Sequence, residues 1–338
     1  FEVFSDEISV ASSSLNTLVR NSLEYLPSIG DFCNLRISPQ LNFNCTYDSS
    51  LYDGWRDLDY FCGEQWVLSF KYRDLYPTLV PQKLLPRPVL KNTFETQSEA
   101  VILSQGIFVN SGGALSKPAS EQMQSAFLSF ISLDEMCSVS GCRYLPSGDC
   151  GFCCTIPSSR LTGNESGNDS GIYVIVDLTC EDTGYLMLDI CAAKGTIADI
   201  SYGEHLEDMR VRSFTGGRNF VTKFICSGKR QTLTDLFHRV GCRYIQMHIY
   251  SDSFTLYNLG IFPSHYPVIK KDISLKTDNL LRRRIFDVSV RTLELCMHEH
   301  YEDCPWREQA LYTMDSRNQM LCGYYCFENA DFARANLL

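Results

Sequence analysis

Residues 172–203 read IYVIVDLTCEDTGYLMLDICAAKGTIADISYG. IYVIVDLT is an unbroken apolar run of buried-strand type. GYLMLDICA and GTIADISYG follow it, each bounded by glycine at Gly184, Gly195 or Gly203. Downstream, RYIQMHIY alternates Ile245, Met247 and Ile249 against Gln246 and His248, a period of two. Upstream, SEAVILSQGIFVN (98–110) reads as strand again. Strands this closely spaced, with glycine turns and no helix between them, predict an antiparallel sandwich over residues 93–255. Residues 111–171, rich in Ser and Gly and including LTGNESGNDSG, predict a loosely packed insertion of loops, the first place a protease would cut. Residues 1–80 hold short strand-like runs (FEVF, LNFNCTY, QWVLSFKY) and predict a first sandwich-like β domain. A proline-rich linker at 81–92, within YPTLVPQKLLPRPVL, joins the two, because proline cannot donate to a ladder and stiffens the chain.

The pattern changes after Pro267. Asp278 suits a helix N-cap, and Leu281, Ile285, Val288, Thr292 and Leu295 share one face at a 3.6 period, predicting about five or six turns. EHYEDCP breaks that helix. Pro305 fits the first turn of the next, with Leu311, Met314, Leu321 and Tyr325 on its buried face, and Asn329 suits the cap of a third. Residues 272–338 thus read as an αα-hairpin with a further helix beginning, and as a domain cut short within it.

The 338 residues suffice for two or three domains of ~100–200 residues each. With 44% hydrophobic and 21% charged residues the chain is globular in composition, and no apolar run reaches the ~18 residues of a membrane helix. A net charge of −10 repels phosphate, so neither nucleic acid nor an anionic membrane is an expected partner. No signal peptide is visible at FEVFSDEISV. Most of the 16 cysteines are scattered singly in apolar runs, as expected of reduced, buried thiols in the cytoplasm. Asn164 and Asn168 head glycosylation sequons, meaningful only in a secreted chain. Cys137, Cys142, Cys150, Cys153 and Cys154 cluster, and Cys150-Gly-Phe-Cys153 has zinc-knuckle spacing, but the segment has no His, and neither a metal nor a cofactor is expected.

HEHYEDCPWREQALYTMDSR (298–317) gathers the chain's densest chemistry. On a helix, Glu308 and Asp315, seven apart, would share a face. Asp303 lies just before, where the helix dipole favours a carboxylate. Three acids so placed would raise at least one pKa, as a general acid requires. Arg307 offers an ionic clamp and Trp306 a stacking plane. The plainer reading is a solvated, charged helix corner with Asp303 as its cap. HEHYE is not HExxH, and neither a P-loop nor a G-x-S-x-G elbow is present. Trp55 and Trp66 fit either a sugar platform or a core.

DCPWRE, with Asp315 twelve residues after Asp303, resembles the catalytic signature of the α-L-rhamnosidases of glycoside hydrolase family 78. GTIADISYGEHLEDMRVR, GRNFVTKFICSGKRQTL and GCRYIQMHI resemble the β-sandwich that precedes that family's (α/α)6 six-hairpin barrel, and RIFDVSVRTLELCMHEHYEDCPWREQ resembles the barrel's opening. The resemblance runs from about Tyr173 to the end. It implies β-sandwich domains followed by the first helices of an (α/α)6 barrel, truncated, in an inverting glycosidase acting on terminal rhamnosyl or related bonds. Glu308 would be the general acid; Asp303 and Asp315, with Arg307 and Trp306, would hold the sugar. The chain departs from the family at Gln309-Ala310-Leu311-Tyr312, where Tyr312 replaces a Trp. The family's base is a later Glu, so residues 1–338 alone would be inactive. The rival reading is a non-catalytic carbohydrate-binding or scaffold protein with the same fold.

Overall fold

The computed structural model describes residues 2–5, 8–12, 17–26, 37, 40–41, 44, 46–69, 87–96, 100–111, 117–132, 135, 143–144, 152–155, 161, 169–273, 275–328 and 330–337. Residues 81–86 of the expected linker, Cys137, Cys142, Cys150 and Asn329 lie outside them. The chain divides into two units, Phe1–Tyr25 with Leu51–Arg87, and Leu26–Ser50 with Pro88–Leu338.

In the first unit, Glu2–Ser5 pairs with Ile8–Ser12 and Leu18–Val19 with Val67–Leu68, both antiparallel. Both tryptophans here have chain partners. Trp55 Nε1 donates to Glu24 at 2.7 Å, and Trp66 Nε1 donates to the Tyr60 hydroxyl at 3.1 Å, with the Arg20 guanidinium 4.9 Å from its ring centre.

The second unit is an 11-stranded sheet followed by helices. Its strands include β1 (Thr46–Asp48), β2 (Ala100–Val109), β3 (Phe127–Phe130), β4 (Phe152–Thr155), β5 (Ser170–Ala192), β6 (Ile197–Gly203), β7 (Val221–Ile225), β8 (Gln231–Ile249) and β9 (Ser253–His265). The central order is β4-β9-β5-β8-β6-β7-β1, antiparallel except for β7 with β1, and β2 pairs with β5 and with β3. Ile172 to Val176 are all buried, so β5 is covered on both faces there, which explains its unbroken apolar run.

Two expectations change. The runs 172–179 and 184–192 are one 23-residue strand. It bulges between Asp177 and Asp182, and its first half pairs with β2 while its second half pairs with β9. Gly184 is not a turn: a Cβ there would sit 2.2 Å from the Phe262 carbonyl oxygen, so glycine lets two strand backbones approach. Within the expected insertion, helix α1 (Ala119–Ser125) and β3 are ordered elements. Met123 is buried, and Ser213 Oγ donates to the Ser120 carbonyl at 2.7 Å.

The bulge carries a misfit carboxyl group. Glu181 Oε1 is buried with no hydrogen-bond partner among the described residues. Burial, then Glu204 and Asp182, push its carboxyl up to about 8, against the pull of Arg243 and Arg291. The folded chain therefore holds a proton that the unfolded chain releases above its ordinary value of 4.5. This contribution to stability falls as pH rises from about 4.5 to about 8. His238 and His248, held neutral by burial at about 4 and about 3, act oppositely, their contribution being lost as pH falls below 6.5. Glu181→Gln is expected to raise stability at pH 8.5 by ~2–3 kcal/mol and to flatten the alkaline slope. Urea unfolding at pH 6 and pH 8.5 checks this, and an unchanged slope would clear Glu181 of the effect.

Three helices follow the sheet: α2 (Leu280–Leu295), α3 (Thr313–Cys326) and α4 (Asp331–Ala335). The cap of α2 is Asn279, whose side chain accepts from Arg282 N–H, not Asp278, and the helix has 16 residues rather than five or six turns. Pro305 opens no helix, since α3 begins at Thr313. Most of the predicted faces point outward: Leu281 is 67% exposed and Tyr325 76%, with Ile285, Val288, Leu311, Met314 and Leu321 also exposed, while Leu295 at the end of α2 is buried as its place on that face suggests. The small helical core is instead Leu293, Met297, Tyr301, Met320, Cys326, Phe327 and Phe332, joined by Tyr266. The described helices number four, and none is long and apolar enough to cross a membrane.

Candidate active site

Between α2 and α3 the chain forms a loop closed on itself. Asp303 N–H donates to the Ala310 carbonyl, and Ala310 N–H returns to Asp303 Oδ1, both at 3.0 Å. Gln309 adopts φ +50°, costly outside glycine, while its side-chain amide donates to the Arg239 and Pro305 carbonyls at 2.9 and 2.8 Å.

This loop is seated on the sheet at several points. Pro305 lies against Gly241 of β8, where a Cβ would stand 2.6 Å from the Pro305 carbonyl oxygen. The Trp306 ring packs at 5.0 Å from Phe220 and edge-on to His205, and is 3% exposed. Glu302 pairs with Arg239 of β8 at 2.8 and 3.1 Å, the two side chains being 1% and 3% exposed. Burial pushes the Glu302 carboxyl up, and the Arg239 guanidinium opposes it. Gly241→Ala is expected to cost ~1–3 kcal/mol, because the obstacle is a main-chain carbonyl and not the end of a side chain. An unchanged urea midpoint would mean that the loop shifts off the strand freely.

Glu308 is not helical. It ends the turn after Trp306, ahead of α3, so its proximity to Asp315 is not set by helix periodicity. Its Oε1 accepts from Arg218 Nη2 and its Oε2 from the Tyr312 hydroxyl, both at 2.7 Å. Gln40 Nε2 in turn donates to the Tyr312 hydroxyl at 3.4 Å. The partner of Glu308 is thus a cation and not a second carboxylate. The hydrogen bond to Glu308 pushes the Tyr312 phenol up, against the Gln40 bond and with a smaller push from the Glu308 and Asp303 charges. Asp303 also borders a cleft of about 490 Å³ between α2 and α3, lined by Leu293, Cys296, Cys322, Tyr325 and Cys326 among others. Asp315 is exposed in the first turn of α3, where the dipole favours it. Among the described residues no hydrogen bond or ion pair joins it to Asp303 or Glu308. Arg307 is exposed beside them. Trp306 shows no ring face to solvent, so its expected role as a stacking plane gives way to that of an anchor. Buried aromatic area outweighs exposure here, because Gly203 and Phe220 leave a slot for the indole.

Sequence reasoning did not find Arg218, which lies 90 positions from Glu308 in an ordinary glycine hairpin, or Arg239, inside a strand. Among the described residues no cluster of three or more His, Cys, Asp or Glu is placed to hold a metal ion. Cys153 and Cys154 alternate across β4, with Cys154 buried and Cys153 Sγ 3.5 Å from Thr255 Oγ1.

Residues 169–261, from β5 through most of β9, match the family described as the bacterial alpha-L-rhamnosidase concanavalin-like domain. Similar solved structures include the family 78 rhamnosidase of Bacillus sp. GL1, at 26% identity and TM-score 0.49 over 56% of this chain and 19% of that one. Another is the α-L-rhamnosidase of Dictyoglumus thermophilum, at 12% identity and TM-score 0.49 over 88% of this chain and 27% of that one. A third is the rhamnosidase of Klebsiella oxytoca with rhamnose bound, at 17% identity and TM-score 0.45 over 73% and 44%. The chain spans less than half the length of each. No curated protein matches it. By this match, residues 169–261 resemble the concanavalin-like domain of the bacterial alpha-L-rhamnosidases.

Proposed function

We propose that the chain is part of an inverting glycoside hydrolase that cleaves terminal α-L-rhamnosyl or closely related bonds. Glu308 donates the proton to the glycosidic oxygen; Asp303, Asp315 and Arg307 hold sugar hydroxyls. The base that activates water is a Glu later in the helical domain, which continues as an (α/α)6 barrel. Inversion requires acid and base ~6.5–9.5 Å apart with a water between them. One observation carries the reading: a rhamnosidase-type concanavalin-like domain is followed by a self-closed Asp-Cys-Pro-Trp-Arg-Glu loop that lays Glu308 at its edge. For the acid step, Tyr312 must release Oε2 as the sugar enters, so that this oxygen can carry the proton.

The test is the anomer first released from an aryl α-L-rhamnoside by the protein at its natural length, followed by proton NMR. The β anomer is expected. The α anomer would overturn inversion, and no hydrolysis would overturn the enzyme reading. Residues 1–338 alone are expected to give no turnover. A carbohydrate-binding protein without chemistry is favoured by one observation, that both Glu308 oxygens already have partners. It requires rhamnoside binding without release at any pH.

A further inference from the structure

The acid loop receives a side chain from the β domain that nothing in the loop's own sequence signals. Phe214–Thr215 pairs with Arg218–Asn219 across Gly216 and Gly217, whose φ values of +56° and +76° make the tight turn that matches strand twist. This hairpin is fixed on its own side. Asn219 N–H donates to the Ile37 carbonyl at 2.8 Å, its Oδ1 accepts from Ser120 Oγ at 2.5 Å, and Phe220 N–H donates to the Ser213 carbonyl at 2.9 Å. Arg218 and Phe220, two apart, then meet Glu308 and Trp306, also two apart.

The loop has its own means of staying folded: the Asp303–Ala310 bonds, Pro305 on Gly241, Gln309 on the Arg239 carbonyl and Trp306 on Phe220. What Arg218 adds is direction. Its bond fixes one oxygen of Glu308 and the Tyr312 hydroxyl fixes the other, which sets the plane of the carboxyl group. At 17% and 19% exposure the pair is largely withdrawn from water, where a charge-assisted bond holds its geometry. Arg218 Nε–H is buried without a partner among the described residues, so the guanidinium is placed for the carboxylate and not by bonds to its own hairpin.

We propose that Arg218 is a positioning residue: from the hairpin of the concanavalin-like domain it aims the Glu308 carboxyl group at the leaving-group oxygen. This rests on the acid role of Glu308. It makes the β domain a contributor to the chemistry and not only a neighbour of the barrel.

Arg218→Ala, Arg218→Lys and Glu308→Gln are compared in the protein at its natural length, on a nitrophenyl rhamnoside and on a rhamnosyl disaccharide. Misaiming an acid costs up to ~10²-fold. Arg218→Ala is therefore expected to lower kcat on the disaccharide by about 10–100-fold, with a several-fold smaller loss on the nitrophenyl substrate and KM changed by less than about 3-fold. Arg218→Lys recovers part of the disaccharide rate. Equal losses on both substrates would reduce Arg218 to a loop support, and a rise in KM alone would make it a sugar ligand; either overturns the proposal. If Glu308→Gln shows the leaving-group bias and the Arg218 variants do not, the proposal fails and the acid reading stands. If Glu308→Gln shows no bias, both fail. Should Arg218→Ala not fold, the same comparison is read from Arg218→Lys, where a loss confined to the disaccharide supports the proposal and any other result overturns it.

Discussion

Glu308→Gln, in the protein at its natural length, is expected to lower turnover of a rhamnosyl disaccharide by about 10²–10⁴-fold with the fold intact. The amide is nearly isosteric. Its oxygen still accepts from Arg218, and its NH₂ can donate to the Tyr312 oxygen, so the loop keeps its contacts. What is lost is the proton for the leaving alkoxide. A nitrophenolate leaves with little help, so its release suffers far less. Asp303→Asn is the contrast. Asn keeps an oxygen for the Ala310 N–H, and with its proposed part in holding the sugar it should cost both substrates alike. Equal losses for both substrates in Glu308→Gln would leave Glu308 as one more binding carboxylate.

The second large effect is on folding. Glu302→Gln is expected to destabilise the chain by ~3–5 kcal/mol, because it leaves the Arg239 guanidinium buried with no counter-charge. Arg239 cannot turn outward. It is 3% exposed, its Nη2 is committed to the Leu295 carbonyl at 3.0 Å, and its Nε already lacks a partner among the described residues. Replacing both groups, as Glu302→Leu with Arg239→Met, should cost less than either single change, since the pair recovers only part of its own desolvation. Urea unfolding of Glu302→Gln, Glu302→Leu, Arg239→Met and the double variant decides this. A single variant no worse than the double would show that the charges are not coupled.

Much of this architecture can be read from the residues, and the misses have physical causes. Alternation in 243–250 marks β8 correctly, though both of its faces are covered there: Gln246 and His248 are as buried as Ile245, Met247 and Ile249. Gly184 misled, since glycine serves both a turn and a close strand contact, and composition does not separate them. The stripes Leu281-Ile285-Val288 of α2 and Met314-Leu321 of α3 share faces as periodicity says, whereas Leu311 lies ahead of α3. Periodicity reports which residues lie together, not whether anything covers them, and here the described residues do not. Asp278 and Asn279 are both competent caps, and one bond to Arg282 N–H decides between them. At the candidate site, the Cys-Pro bend marks the loop that holds Asp303 and Glu308. Nothing marks Arg218, because an ion pair joining distant segments leaves no local trace.

The seating of Pro305 on Gly241 also orders events in time. Domains fold as they emerge from the ribosome, N-terminal parts first. Gly241 leaves the tunnel before Pro305 is made, so β8 can join its sheet while the Asp303–Ala310 loop is still being synthesised. The loop then closes against a finished surface, and its costly left-handed Gln309 is set by a template already in place. A helical domain synthesised without the preceding strands would lack that template, and the Asp303–Ala310 loop would form with nothing to shape it.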